Sequence, residues 1–358
     1  MQAPTDSQHI SPVERDATFY HPSGDCILRV QQTLFKIHTF HLISNSPVFA
    51  SLFALPVGDT KVEGQSEDLP IVLHGDSADD FRSLFKYIYA SVIATQISSV
   101  PASELPQVVA VARLAHKYDM DAWQNWAFLL IASHFKTSKH LSTADIATIY
   151  KVCDKPRWSS LRTELAELWI RRIESEAEPQ SALTLSSALD AAEVQSDHAF
   201  LTRLYALHLM RSTRSPGTTS MATLANPIPF PTTGIPSVHI VRMLAAHWSL
   251  SSSWSNLRSS PPSFPPYTVY CTAEKHDECT RSVSASWEQA LAAAEREFPS
   301  SVEMGARLDR ARRVIADLVP QWLCYDTFLG SGGEEPLSRC AERFQLQDHF
   351  FAPMIKVE

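Results

Sequence analysis

Glycine is scarce in this chain, with only ten among 358 residues. None of them builds a phosphate cradle. Gly330-Ser331-Gly332-Gly333 lacks both the following Lys-Ser/Thr and the GxGxxG spacing that aims backbone N–H groups at phosphates, so it reads as a flexible loop. The G-x-S-x-G nucleophile elbow, the H-E-x-x-H metal helix and the kinase signatures are missing as well. Long apolar runs are also absent: the longest, Ala127 to Ala132, falls far short of the ~20 residues that span a bilayer. The polar start, with Pro4, Asp6 and Glu14, does not read as a secretory leader. Positive charge is in deficit, and a net charge of −8 with a pI near 6.0 argues against direct attraction to nucleic acid or to anionic membranes. Six well-separated cysteines fit reduced thiols better than a disulfide framework. Together these absences predict an intracellular protein of the cytoplasm or nucleus, with no membrane partner and no small-molecule substrate.

What is present is an ordinary globular composition, 44% apolar, in a chain long enough for two or three domains of ~100–200 residues. Cys26 to Val30 alternates along a strand. A polar turn, Gln31-Gln32-Thr33, leads to a second alternating run from Leu34 to His38, which predicts a hairpin. Ser46 is a good N-cap and Pro47 suits the first helical position. Val48, Phe49, Leu52 and Phe53 follow at helical spacing, so a short buried helix is expected from Ser46. Pro56 to Leu69 has no periodicity and two glycines, and reads as an exposed, mobile loop. Ser77 and Asp80 have the capping-box spacing, with Asp79 and Asp80 complementing the dipole of a helix whose apolar face is Phe81, Leu84, Phe85 and Ile88.

The order of these pieces resembles the BTB (POZ) domain. In its signature an Asp opens a hairpin, a His closes it, and a Ser-Pro-x-Phe helix follows; here Asp25, His38 and Ser46-Pro47-Val48-Phe49 stand in those places. The resemblance continues through Leu69 to Leu73 as the next strand, Phe81 to Tyr89 and Val108 to Met120. The lead-in Arg15 to Tyr20 and the later Trp- and Cys-bearing helices look like the expanded BTB family of mushroom-forming fungi. The resemblance implies an α+β fold, a short sheet flanked by helices, followed by an all-α C-terminal region. It also implies a module that binds itself and other proteins, in which Asp25, His38, Ser46 and Phe49 form the signature and dimer groove. Arg15 to Tyr20, read as an apolar stretch, would add a strand or pack across a two-fold axis. Many BTB domains carry a basic residue after the His, completing a charged pocket with the Asp, whereas this chain has Thr39. Adaptors of cullin-type ubiquitin ligases often carry a hydrophobic-x-Glu pattern shortly after the helix, and Val57-Gly58-Asp59 stands there, its Asp one methylene shorter than Glu.

These readings divide the chain into a flexible start (1–14), a BTB domain (15–136), a helical segment like the BACK regions that follow many BTB domains (137–211), a linker rich in Ser, Thr and Pro (212–236) and a helical C-terminal region (237–358). Ser142 and Asp145 are expected to cap a helix burying Ile146, Ile149, Tyr150 and Cys153. The next helix carries Leu161, Leu165, Leu168 and Trp169 inward, with Glu167 and Arg171 as a surface pair. Asp197 starts another with Phe200, Leu204, Leu207 and His208. Three more close the chain, bearing Trp287, Leu291, Ala294 and Phe298; Met304, Leu308, Ala311, Ile315 and Leu318; and Leu337, Cys340, Ala341 and Phe344.

Candidate chemistry is thin. Asp25 and His38 are proton-transferring residue types, but the hairpin role is favoured over catalysis and no catalytic residue is expected. Cys271, His276 and Cys279 (C-x4-H-x2-C) offer three zinc ligands, with Cys324 or Cys340 as a distant fourth. The second closely spaced pair usual in structural sites is missing, so buried thiols are expected and neither metal nor other cofactor. Trp123, Trp126, Trp169, Trp248, Trp287 and Trp322 read as core or interface anchors. Arg307, Arg310, Arg312 and Arg313, interleaved with Asp309, read as a solvated helix face. The expectation is a non-enzymatic interaction protein, a ubiquitin-ligase adaptor or a scaffold in transcriptional regulation. The alternatives are a zinc-dependent regulator and a hydrolase or transferase hidden in the C-terminal helices.

Overall fold

The computed structural model of the chain describes residues 12–55, 62–90, 100–134, 141–176, 180–214, 234–261, 263, 271–318, 324 and 344–351. Its contacts divide into two compact units, Met1–Leu165 and Ala166–Glu358.

The first unit begins with β1 (Glu14–Tyr20), β2 (Cys26–Val30) and β3 (Thr33–Ile37). β2 and β3 form the expected hairpin, Cys26 opposite Ile37 and Val30 opposite Thr33, so the turn is only Gln31-Gln32 and Thr33 already belongs to a strand. Gln31 takes φ +55° to make that reversal. Cys26, Ile27, Leu28, Val30, Leu34, Phe35 and Ile37 are all buried. Strand β4 (Ile71–Leu73) lies parallel to β2, giving the order β1-β3-β2-β4.

β1 adds a strand within its own chain, running parallel to β3 with an irregularity between Arg15 and Tyr20. Its grip is not the apolar stretch expected. The residue of β1 that is buried is Asp16, whose Oδ1 accepts the Thr18 and Phe19 N–H groups at 3.0 and 2.8 Å and whose Oδ2 accepts from Arg82 Nε at 2.7 Å. Burial alone would raise this carboxyl, yet the Phe19 N–H, Arg82 and the Thr18 N–H outweigh it and hold the group below the usual carboxylate range.

Two short helices follow, α1 (Thr39–Ile43) and α2 (Pro47–Phe53). Ser46 caps α2 and Pro47 occupies its first turn, as the sequence requires, but Phe49 is the residue of α2 that is buried, and Val48 is exposed. Helix α3 (Ala78–Ile88) buries Phe81, Leu84, Phe85 and Ile88. Its cap is Ser77, accepting the Asp79 N–H; Asp80 instead pairs with Arg113. Helices α4 (Leu105–Lys117), α5 (Asp121–His134) and α6 (Thr143–Val152) complete the packing, the last opened by a full Ser142/Asp145 capping box. Of the loop read as mobile, Gly64 to Leu69 is tied down: Gly64 accepts from Ile27 N–H and donates to the Leu69 carbonyl, both at 2.7 Å. Gly64 has φ +84°, and an added Cβ would meet Cys26 Sγ at 3.0 Å.

Helix α7 (Ser159–Ser175) carries the boundary between the units. The second unit is helical: α8 (Gln180–Val194), α9 (His198–Arg214), α10 (Ser237–Ser259), α11 (Ala273–Glu297), α12 (Met304–Leu318) and the short α13 (Leu346–Phe350). Trp169, Trp254 and Trp287 are fully buried core anchors, whereas Trp248 is 76% exposed. Glu167 is taken by Arg203 of α9 through two bonds of 2.7 and 3.0 Å rather than by Arg171. The arginine group of α12 is split. Arg310 and Arg312 pair with Glu297 and Asp309 at the surface, but Arg307 is only 3% exposed, donating to the Phe298 and Pro299 carbonyls and lying over Trp254. Burial holds its guanidinium below the ordinary value. The expected closing helix at Leu337, Cys340 and Ala341 lies outside the described residues.

Candidate interaction face and thiol cluster

The hairpin brings Asp25 and His38 to one corner of the first unit. Gly24 makes this corner, since a Cβ there would sit 2.9 Å from the Ile37 nitrogen. Asp25 then donates its N–H to the Ile37 carbonyl at 3.0 Å, and its carboxylate receives Thr39: the backbone N–H at 2.7 Å and the hydroxyl at 2.9 Å. Asp25 thus supplies from a strand end the cap that His38, the residue before α1, does not give with its own side chain. His38 turns to other partners. Its ring meets the Tyr89 hydroxyl at 3.1 Å and Ser23 Oγ at 3.1 Å, and its backbone N–H donates to Tyr89 at 2.9 Å. Asp25 and His38 therefore do not form an acid-base pair.

Tyr89 is the centre the sequence did not disclose. His21 and His41 pack on its ring at 4.6 Å each, and His38 at 5.9 Å. Burial raises the Tyr89 phenol, and burial, then His38 and His21, lowers the His41 imidazole. The run of histidines at 21, 38 and 41 was the available signal, but what gathers them is α3, which delivers Tyr89 from 51 residues beyond His38.

Ser46 and Phe49 belong to the interior, not to a groove. Ser46 Oγ accepts the Phe49 N–H at 3.1 Å and donates to the Tyr118 carbonyl at 2.5 Å, while Phe49 stacks on the Tyr118 ring at 4.5 Å. They fasten α2 to the turn after α4, where Asp119 takes φ +51°. Neither presents surface to a partner. The surface of α1 and α2 is instead Phe40, 70% exposed, with Ile43 at 41% and Val48 at 44%. Val57 and Asp59 lie outside the described residues.

In the second unit Cys271, Cys279 and Cys324 converge, their sulfurs all within 4.8 Å of one another. Cys324 Sγ is 3.3 Å from Cys271 Sγ and 3.6 Å from His276 Nδ1. The structure thus brings Cys271 and Cys279 of the C-x4-H-x2-C run together with Cys324, and His276 joins this cluster through Cys324; Cys340 is outside the described residues. Burial, then Cys324 and Cys279, pushes the Cys271 thiol up to about 11.

The BTB/POZ domain family model matches residues 21–128, which spans the hairpin, α1, α2, β4, α3, α4 and most of α5. The N-terminal unit therefore carries a BTB/POZ domain, a protein-interaction module, and a largely helical region follows it. No curated protein matches the chain, and no solved structure does. Among the described residues no helix is long and apolar enough to cross a membrane.

Proposed function

We propose that the chain is a non-enzymatic interaction protein whose BTB domain self-associates through the face of α1 and α2 and recruits a further protein, the helical region 137–211 acting as a BACK-like extension. The observation that carries this is the exposed Phe40 beside Ile43 and Val48, an aromatic and two branched residues left in water on adjoining helices. Light scattering at micromolar concentration tests it. A dimer is expected for the natural chain and a monomer for Phe40→Asp, with stability moved by no more than about 0.5 kcal/mol because the side chain is exposed. A strictly monomeric natural chain would remove the dimer from this reading.

Between the two uses of such a scaffold, a cullin-type ligase adaptor is favoured over a corepressor-binding transcriptional scaffold. Thr39 occupies both oxygens of Asp25 where a basic residue would build a charged pocket, so the corner offers less to a charged peptide. Val57 and Asp59 are the proposed cullin contacts. Pull-down with a cullin N-terminal domain is expected to succeed and to weaken in Val57→Ala; binding indifferent to that change would discard the contact. The Arg15 to Tyr20 lead-in supports placing the chain in the expanded fungal BTB family.

A further inference from the structure

We propose that Cys271, His276, Cys279 and Cys324 form a structural zinc site that fastens the start of α11 to Cys324. Three independent features carry this.

The first is geometry. A tetrahedral centre with Zn–S near 2.3 Å and Zn–N near 2.05 Å has S···S edges of about 3.8 Å and S···N edges of about 3.6 Å. The Cys324–His276 separation is 3.6 Å, the Cys324–Cys271 separation is 3.3 Å, and the three sulfurs lie within 4.8 Å of one another. Opening the Cys324–Cys271 edge by about half an ångström, with the His276 ring turned inward from Cys324 toward the other two sulfurs, admits the ion. His276 and Cys279 are three residues apart and so share one face of α11, while Cys271 stands just before the Thr272 N-cap.

The second is burial. From Cys271 to Thr280 seven residues are exposed; the three that are not are Cys271, His276 and Cys279. The first two turns of a 25-residue helix therefore have no apolar face to hold them, the next buried side chain being Val283. A metal supplies what hydrophobic packing does not.

The third is electrostatic. Three thiols crowded at this spacing gain little from one another as neutral groups, while a divalent cation deprotonates them and binds the resulting thiolates. The positive end of the α11 dipole adds to the stabilisation of negative sulfur. Soft sulfur ligands with one imidazole select zinc over calcium or magnesium, and four protein ligands close the shell, so the site holds structure and leaves no position for a substrate.

Metal analysis of the full chain, purified under reducing conditions from zinc-supplemented cells, tests the proposal. One zinc per chain is expected. Stoichiometry is expected to fall about tenfold in Cys324→Ser and Cys279→Ser and to stay unchanged in Cys153→Ser, a buried thiol of the other unit. Should those variants fold poorly, the natural chain still decides: a mercurial reagent is expected to release its zinc in step with thiol titration, and cobalt to replace it with the visible bands of tetrahedral coordination. His276→Cys is expected to keep the metal and His276→Ala to weaken it. Zinc near zero in the natural chain, retention undiminished in a well-folded Cys324→Ser, or a Cys271–Cys324 disulfide in freshly purified protein would each overturn the site.

Discussion

The two oxygens of Asp25 hold the two donors of Thr39, N–H at 2.7 Å and hydroxyl at 2.9 Å, so the carboxylate at the start of the hairpin is the cap of the helix that follows its end. This closes the loop between strand and helix without a charged partner. Asp25→Ala is expected to lower stability by about 1 kcal/mol, the ordinary cost of a lost cap, and Thr39→Val by less, because it keeps the N–H bond. Chemical denaturation reads both. Equal losses would mean that the hydroxyl, not the backbone, dominates.

Phe49 is wholly buried on the Tyr118 ring. Phe49→Ala opens a cavity at the junction of α2 with the turn after α4 and is expected to cost about 3–5 kcal/mol, enough to unfold the first unit at moderate temperature. Because Ser46 is tied to the same turn, Ser46→Ala combined with it is expected to cost less than the sum of the single losses. Thermal unfolding of the three variants checks both statements.

His239 is 2% exposed, bonded to the Tyr205 hydroxyl at 2.7 Å beside the Arg242–Glu193 pair. Burial lowers its pKa from the ordinary 6.5, Glu193 and Asp190 oppose that and Arg242 adds to it; His247, bonded to Ser301, is lowered by burial and Arg307. Below about 6.5 the unfolded chain binds protons that the folded one does not. Stability is therefore full above that pH and falls as pH drops beneath it. His239→Gln, which keeps a polar partner for Tyr205, is expected to flatten the slope between neutrality and mild acid. An unchanged slope would assign the acid sensitivity elsewhere.

Arg307 donates to the Phe298 and Pro299 carbonyls at 2.7 and 2.9 Å and covers Trp254. Arg307→Met retains much of the packing but removes two part-buried hydrogen bonds, with an expected loss of about 1–2 kcal/mol, whereas Arg310→Met at the surface is expected to stay within about 0.5 kcal/mol. Denaturation midpoints distinguish a buried guanidinium from a solvated one.

The legible parts of this molecule are those written over short distances along the chain. Ser46-Pro47 before Phe49, Ser142 with Asp145, and the Phe81, Leu84, Phe85, Ile88 face each announce a helix within one or two turns, and each helix is there. Helix α10 was hidden because its serines favour turns and Pro/Ser segments flank it, although Met243, Ala246, Leu250 and Trp254 recur at helical spacing. The start of α11 was hidden for the opposite reason: Ala273 to Ser282 has no apolar periodicity to read.

Capping, proline placement and hydrophobic period need only neighbours on one element, so hairpin, helices and the BTB identity follow from the order of residues alone. Which side of each element faces the interior of a neighbour is another matter. Folding sent Phe49 inward and left Phe40 in water, buried Arg307 while its neighbours stayed wet, set Tyr89 among three histidines, and carried Cys324 across 53 residues to Cys271. Those outcomes depend on how separate elements pack against one another, and no local pattern encodes that closure.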